Sequence, residues 1–252
     1  MEEVVIRDPL VLLGDLLTGG AEWRRVRPLL ANAFELLEVD LGKVAARRSS
    51  GGADLPFLLA EELVRGDVYP VHLLASTFAS GAALGLAEAR PDLFRSLLLH
   101  APLVELERDR STPTGRPLRG RFAALARALE KGSAEEATRE WLSVFGESVD
   151  TPVPELTAEM AQRSPTWLAE FHRADAWRVR TGLRDFLPPT LIVGGELEPV
   201  FLQQAAAELT EHLTNATRLR LPGAGHLLPF TEPARFAGVV MSFCLERNVP
   251  TA

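Results

Sequence analysis

At 252 residues, with 46% of them hydrophobic, the chain suits one large domain that can bury a full core. A net charge of −7 and a pI near 5.4 argue against nucleic acid as a partner, because neutralising phosphates needs clustered Lys and Arg. Cys244 is the one cysteine, which excludes an internal disulfide and any multi-cysteine metal site.

In chain order, residues 1–8 lack the basic start and long apolar core of a signal peptide. No stretch reaches the ~20 apolar residues of a membrane helix, so the expectation is a soluble, cytoplasmic protein with no membrane partner. Leu10-Val11-Leu12-Leu13 is an apolar run ended by Gly14-Asp15. Thr18-Gly19-Gly20 supplies turn chemistry, and residues 23–30 carry a helical pattern. Residues 34–42 mix apolar and acidic side chains as an outer strand does. Residues 47–54 read as a flexible loop, and residues 55–64 as an amphipathic helix with Pro56 in its first turn. A buried strand then begins at Val71, turns sharply through small residues around Thr77, and continues as an Ala/Leu/Gly helix stopped by Pro91. Residues 93–101 form a second apolar strand closed by Pro102. Strand, helix and strand together make a crossover, the unit of a parallel sheet.

From Leu103 to Leu187 the pattern predicts helices only. Residues 122–131 are Ala/Leu-rich, and Ser133-Ala134-Glu135-Glu136 is a capping box that opens a helix ending at Phe145-Gly146. Pro154 and Pro165 mark further helix starts. The basic run from Arg108 to Arg121 is interleaved with Asp, Pro and Gly and reads as a solvated connection. Trp141, Phe145, Trp167, Phe171 and Trp177 either fasten these helices to the rest of the protein or line an apolar pocket. Strand patterning resumes over residues 188–195, followed by a helix at 206–213 and a last strand at 217–221. Pro222-Gly223-Ala224-Gly225-His226 is a turn ending in histidine, and an apolar terminal helix follows Glu232-Pro233, carrying Cys244 on a buried face.

Residues 71–91 resemble, without gaps, the nucleophile-elbow segment of the α/β-hydrolase superfamily, with the G-x-S-x-G elbow standing here as Ala75-Ser76-Thr77-Phe78-Ala79. The resemblance implies an α/β fold: a mostly parallel, doubly wound sheet built from residues 1–102 and 188–252, with a helical cap at 103–187 over the active site. It puts Thr77 at the nucleophile position, Glu198 at the acid position, with Glu196 in the same loop as fallback, and His226 at the base position. The oxyanion amides fall on Leu16 and Phe78. The family's His-Gly pair falls on Gly14-Asp15. Ser76, Asp15, Trp141, Trp167 and Phe171 complete the candidate substrate site. Two local questions stay open at this level. Thr77 is a nucleophile, a hydrogen-bond donor, or merely a helix cap. Asp15 either points at the oxyanion position, where it opposes a developing negative charge, or points away and caps a turn.

The preferred reading is a non-hydrolytic enzyme (a lyase, cyclase or bond-forming enzyme) acting on a small hydrophobic or aromatic metabolite, with His226 and Glu198 as a general base pair. The alternative is an ester or thioester hydrolase with Thr77 as nucleophile. A binding protein without chemistry is the third. The expected partner is a small-molecule substrate. No histidine pair has ligand spacing, so no metal is assigned, and no cofactor is assigned either. The oligomeric state, a homodimer included, is left open.

Overall fold

Continuous apolar runs, rather than alternating ones, mark strands that are covered on both faces, and this is how the central strands pack. The structure, a computed structural model, describes residues 7–46, 55–67, 69–106, 115–163, 178–179 and 181–245. Strands β1 (Pro9–Gly14), β2 (Glu35–Asp40), β3 (Val71–Ser76), β4 (Phe94–His100), β7 (Thr190–Gly195) and β8 (Ala216–Leu221) form one parallel sheet in the order β2-β1-β3-β4-β7-β8. Every residue of β3 is buried, and β1 and β4 are nearly so. Edge strand β2 keeps the mixed pattern its acidic residues dictate.

The period of two sorts the strand side chains into two cores. Val11, Leu13, Leu73, Ala75, Leu99 and Ile192 point into one. Helices α3 (Leu55–Arg65), α4 (Ala79–Ala89) and α8 (Val200–His212) cover it. Leu10, Leu12, Leu74, Leu98 and Val193 point into the other, beneath α1 (Arg27–Leu30) and α10 (Pro233–Leu245). Trp23 closes that face, stacked on Phe236 at 6.0 Å and donating its indole N–H to the Leu13 carbonyl at 3.2 Å. The sheet is therefore doubly wound. Residues 23–30 are less helical than their pattern predicts, resolving into a 3-10 turn at Ala21–Trp23 and the single turn of α1.

The insertion after β4 contains α5 (Gly115–Glu130), α6 (Ala134–Val144) and α7 (Pro154–Met160). The expectation of helices only needs correcting, because two-residue strands β5 (Glu105–Leu106) and β6 (Arg178–Val179) pair in parallel near its two ends. The basic run is also more than a connection, being helical from Gly115 onward. Ser133 caps α6 by accepting the Glu136 N–H at 3.3 Å, and Gly146 ends the turn after it at φ 74°, a left-handed conformation that glycine adopts without steric cost. Phe122, Leu125, Trp141, Leu142, Phe145 and Leu156 of the insertion belong to the same apolar cluster as Leu13, Leu73 and Phe78 of the sheet. Arg163 adds a polar anchor, reaching Asp40 with both terminal nitrogens at 3.0 and 3.1 Å and Glu159 at 2.9 Å. Pro165, Trp167, Phe171 and Trp177, together with the loop at residues 47–54, lie outside the described residues.

Candidate active site

The turn out of β3 fixes the site. Thr77 has φ 49°, a left-handed conformation that a β-branched residue rarely adopts and that costs about 1–3 kcal/mol. Two backbone bonds hold it there: Thr77 N–H donates to the His100 carbonyl at 3.0 Å, and Leu103 N–H donates to the Thr77 carbonyl at 3.1 Å. The strain lifts the side chain clear of the helix that follows. Phe78, not Thr77, is the N-cap of α4, and its own side chain makes no capping bond. The cap reading of Thr77 thus gives way to another: its hydroxyl lies 3.0 Å from Ser76 Oγ and 3.4 Å from His226 Nε2.

His226 is buried, and Glu198 Oε1 stands 3.8 Å from its Nδ1, beyond hydrogen-bond reach. The longer acid has room because residue 194 is glycine, where a Cβ would lie 2.7 Å from Glu198 Oε2. Glu196 turns away and accepts the Gly223 N–H at 3.0 Å, so the fallback acid is not part of the cluster. Phe145 lies flat on the His226 ring, with centroids 4.0 Å apart and planes 6° apart, and Trp141 tilts against it at 5.2 Å. Glu147, just past α6, accepts the Leu227 N–H at 3.1 Å and so ties the histidine loop to the cap.

Asp15 does not point away. Its Oδ2 accepts the Phe78 N–H at 2.7 Å and the Ala79 N–H at 3.3 Å, while its Oδ1 accepts the Leu17 N–H at 2.8 Å. It caps a turn and reaches the elbow at once. The Leu17 and Phe78 amides thus hold the two oxygens of one carboxylate, and the Leu16 amide makes no bond to it. Full burial raises the Asp15 carboxyl to about 6, even though the three amides favour its charged form.

Sequence reasoning missed three neighbours of this cluster, Thr18, Glu22 and His100, and named Phe145 only as one of the aromatics that either fasten the helices or line a pocket. Glu22 accepts the Asp15 N–H at 3.4 Å, and burial beside the Asp15 charge raises its carboxyl to about 7. His100 Nδ1 lies 3.2 Å from Ser76 Oγ, and burial holds its imidazole well below the usual range, hence neutral. A signal for His100 was present, since it ends β4 beside the elbow strand and sites on parallel sheets gather at the carboxyl ends of strands. Glu22 carries no motif; its burial follows from Trp23 folding beneath the sheet.

Thr18, Glu22, Thr77, His100, Trp141 and His226 line a cavity of about 10 Å³. Five polar atoms of these residues are buried without a hydrogen-bond partner: Thr18 Oγ1, Glu22 Oε2, His100 Nε2, Trp141 Nε1 and His226 Nδ1. Each such atom costs about 1–3 kcal/mol, so five among the residues around one small space suit a ligand with polar groups rather than a packed core. The expected substrate-sized apolar chamber is not open in this arrangement, because Trp141 and Phe145 pack directly on His226. A cavity of about 570 Å³ near Asp40, Arg65 and Arg163 has none of Thr77, Glu198 and His226 in its lining. Among the described residues no group of three or more His, Cys, Asp or Glu could hold a metal ion, and no helix is long and apolar enough to cross a membrane.

Three comparisons bear on this architecture. The chain is 22% identical to “Putative non-heme bromoperoxidase BpoC” of Mycobacterium tuberculosis, over 94% of this chain and 93% of that protein. Its fold is similar to that of MenH from S. aureus, with a TM-score of 0.73 and 19% identity over 97% of this chain and 96% of the other. It is also similar to bromoperoxidase from Bacillus anthracis, with a TM-score of 0.74 and 16% identity over 95% and 92% of the two chains. The alpha/beta hydrolase family profile matches residues 10–239, nearly the whole of the sheet and its insertion, and with the elbow, acid loop and histidine turn in place the chain belongs to the α/β hydrolase family.

Proposed function

We propose that the protein is a non-hydrolytic enzyme on the α/β-hydrolase scaffold, acting on a small hydrophobic or aromatic metabolite. His226 serves as general base, Glu198 steers its imidazole, and the Thr77 hydroxyl positions the substrate without forming a covalent intermediate. One observation carries the reading: the Asp15 carboxylate sits on the Phe78 and Leu17 amides, at 2.7 and 2.8 Å.

An acyl-enzyme route needs those amides free for the oxyanion that forms beside the nucleophile, and losing one such donor costs about 2.7–4 kcal/mol in the barrier. Asp15 adds repulsion. Two like charges about 4 Å apart oppose each other by ~4 kcal/mol at an effective dielectric of 20. Both effects point the same way, and together they outweigh what a hindered threonine hydroxyl offers as a nucleophile. Proton transfer by His226 needs neither amide. Trp141 and Phe145 against its ring favour an aromatic or apolar substrate, which enters by displacing them. The similar proteins carry different names, a bromoperoxidase and MenH, which fits a scaffold whose chemistry is set by the site.

The test is 4-nitrophenyl acetate with mass spectrometry of the intact protein. No adduct is expected on wild type, whereas Asp15→Gly combined with Thr77→Ser is expected to gain esterase turnover by freeing the amides and removing the methyl. An acetyl group on Thr77 of the wild type restores the hydrolase reading.

A further inference from the structure

The amides that would stabilise a substrate oxygen are spent on Asp15, yet the cavity beside Thr77 and His226 is rimmed by polar atoms that bond to nothing. Glu22 supplies one of them. It is 4% exposed, its Oε1 is engaged by the Asp15 N–H at 3.4 Å, and its Oε2 has only the neighbouring Thr18 hydroxyl beside it, outside good hydrogen-bond geometry. Trp141 Nε1 shares the same lining and has no hydrogen-bond partner.

We propose that Glu22, as an undissociated acid, is the group that donates to the substrate oxygen in this site, in place of the backbone amides that Asp15 occupies. The inference rests on the non-hydrolytic reading and names its substrate class: a carbonyl compound with a C–H bond next to the carbonyl. His226 Nε2 takes the proton from that carbon, so a C–H bond breaks and an N–H bond forms. The released pair makes the C=C bond, the carbonyl π pair moves onto oxygen, and that oxygen takes the proton of Glu22, leaving an enol and a Glu22 carboxylate. Running the two transfers in reverse restores both groups. A buried carboxylic acid kept neutral near pH 7 can perform this task in place of an amide pair.

The chemistry around Glu22 keeps it protonated below neutrality. Asp15 lies on its own loop with a negative charge, His100 and His226 face it across the cavity, and Arg163 with Glu159 stands beyond Gly19, where it acts on Asp15. Burial is the largest influence and the Asp15 charge the next, and both raise the carboxyl, to about 7; Thr18 pulls slightly the other way.

The experiment uses acetophenone labelled with carbon-13 at the carbonyl, bound to the full chain and followed by infrared spectroscopy. This probe does not titrate, so any pH dependence belongs to the protein. Wild type is expected to bind it with a carbonyl band shifted to lower frequency below neutrality, and to lose that shift as pH rises through the Glu22 titration. Glu22→Gln, which keeps a weaker donor, is expected to show a smaller shift with no pH dependence. Glu22→Met is expected to show none and to bind about tenfold more weakly. A wild type with no shifted band, or a shift that persists in Glu22→Met, overturns the assignment. The ester experiment separates the two inferences: an acetylated Thr77 with the shifted band intact refutes only the non-hydrolytic reading, and no adduct with no band refutes only the role of Glu22.

Discussion

Asp15 and Glu22 show how two adjacent carboxyls, buried where sequence alone would put neither, set the behaviour of the protein. Each binds its proton more tightly in the folded chain than in the unfolded one, since their carboxyls are raised to about 6 and about 7. Between the ordinary carboxylate range and neutrality the native state therefore holds more protons than the unfolded state, and stability falls as pH rises through that window. One such group is worth on the order of 3 kcal/mol across its titration. Urea unfolding at pH 5 and pH 8 is expected to show the wild type less stable at the higher pH. Glu22→Gln is expected to flatten the profile and to exceed wild type at pH 8. A wild type that gains stability over the same interval contradicts the buried pair. Thr77 belongs to this scale too. Its positive φ means that Thr77→Gly relieves backbone strain while deleting the hydroxyl, so it is expected to lose positioning without losing stability, a split that thermal melting checks.

At the scale of elements, α6 and its C-terminal turn act on the site directly. Phe145 and Trp141 reach His226 from one short stretch of helix, because positions four apart share a face. Phe145→Ala removes the ring lying on the imidazole and is expected to cost about 3–5 kcal/mol, as large-to-small changes in a core do. It is also expected to open His226 to diethyl pyrocarbonate, read by peptide mass; unchanged labelling means the ring does not gate the site. Arg163, just past α7, anchors the insertion at a second point. Its side chain is 3% exposed and faces Asp40 and Glu159, so Arg163→Ala removes the buried cation from both carboxylates, leaving Glu159 to the half-exposed Arg24 and Asp40 to the exposed Lys43, and is expected to cost about 1–3 kcal/mol in urea unfolding. Gly19 permits this approach: a Cβ there would lie 1.4 Å from an Arg163 nitrogen, and the residue sits at φ 59°. Gly19→Ala is expected to do comparable damage by the same route.

Over the whole molecule, the cap helices and one face of the sheet share a single apolar cluster, from Leu125 and Trp141 to Leu73 and Phe78. Burial of that kind couples the parts it joins, so the insertion and the sheet are expected to unfold together. Native-state hydrogen exchange reads this out: amides of α5 and α6 should open with the same free energy as those of β3 and β4. A cap that exchanges at a much lower free energy contradicts the coupling, and makes substrate entry by cap opening easier.

What the sequence determined by itself was the order of the parts. Unbroken apolar runs can only be strands covered on both faces, so β1, β3, β4 and β7 were legible, as was the crossover through α4 with its stop at Pro91. The elbow Ala75-Ser76-Thr77-Phe78-Ala79, the acid loop and the Gly225-His226 turn were legible for a related reason: close backbone approach restricts side-chain size, and that restriction leaves a local signature. The tertiary structure alone decided where the charges went. Whether Asp15 faces Phe78 or solvent depends on how the loop after β1 folds against the elbow, 63 residues away, and no local pattern encodes that. Glu22 and His100 joined the site the same way, since a polar side chain becomes buried with one atom left unbonded only when several distant elements close around it.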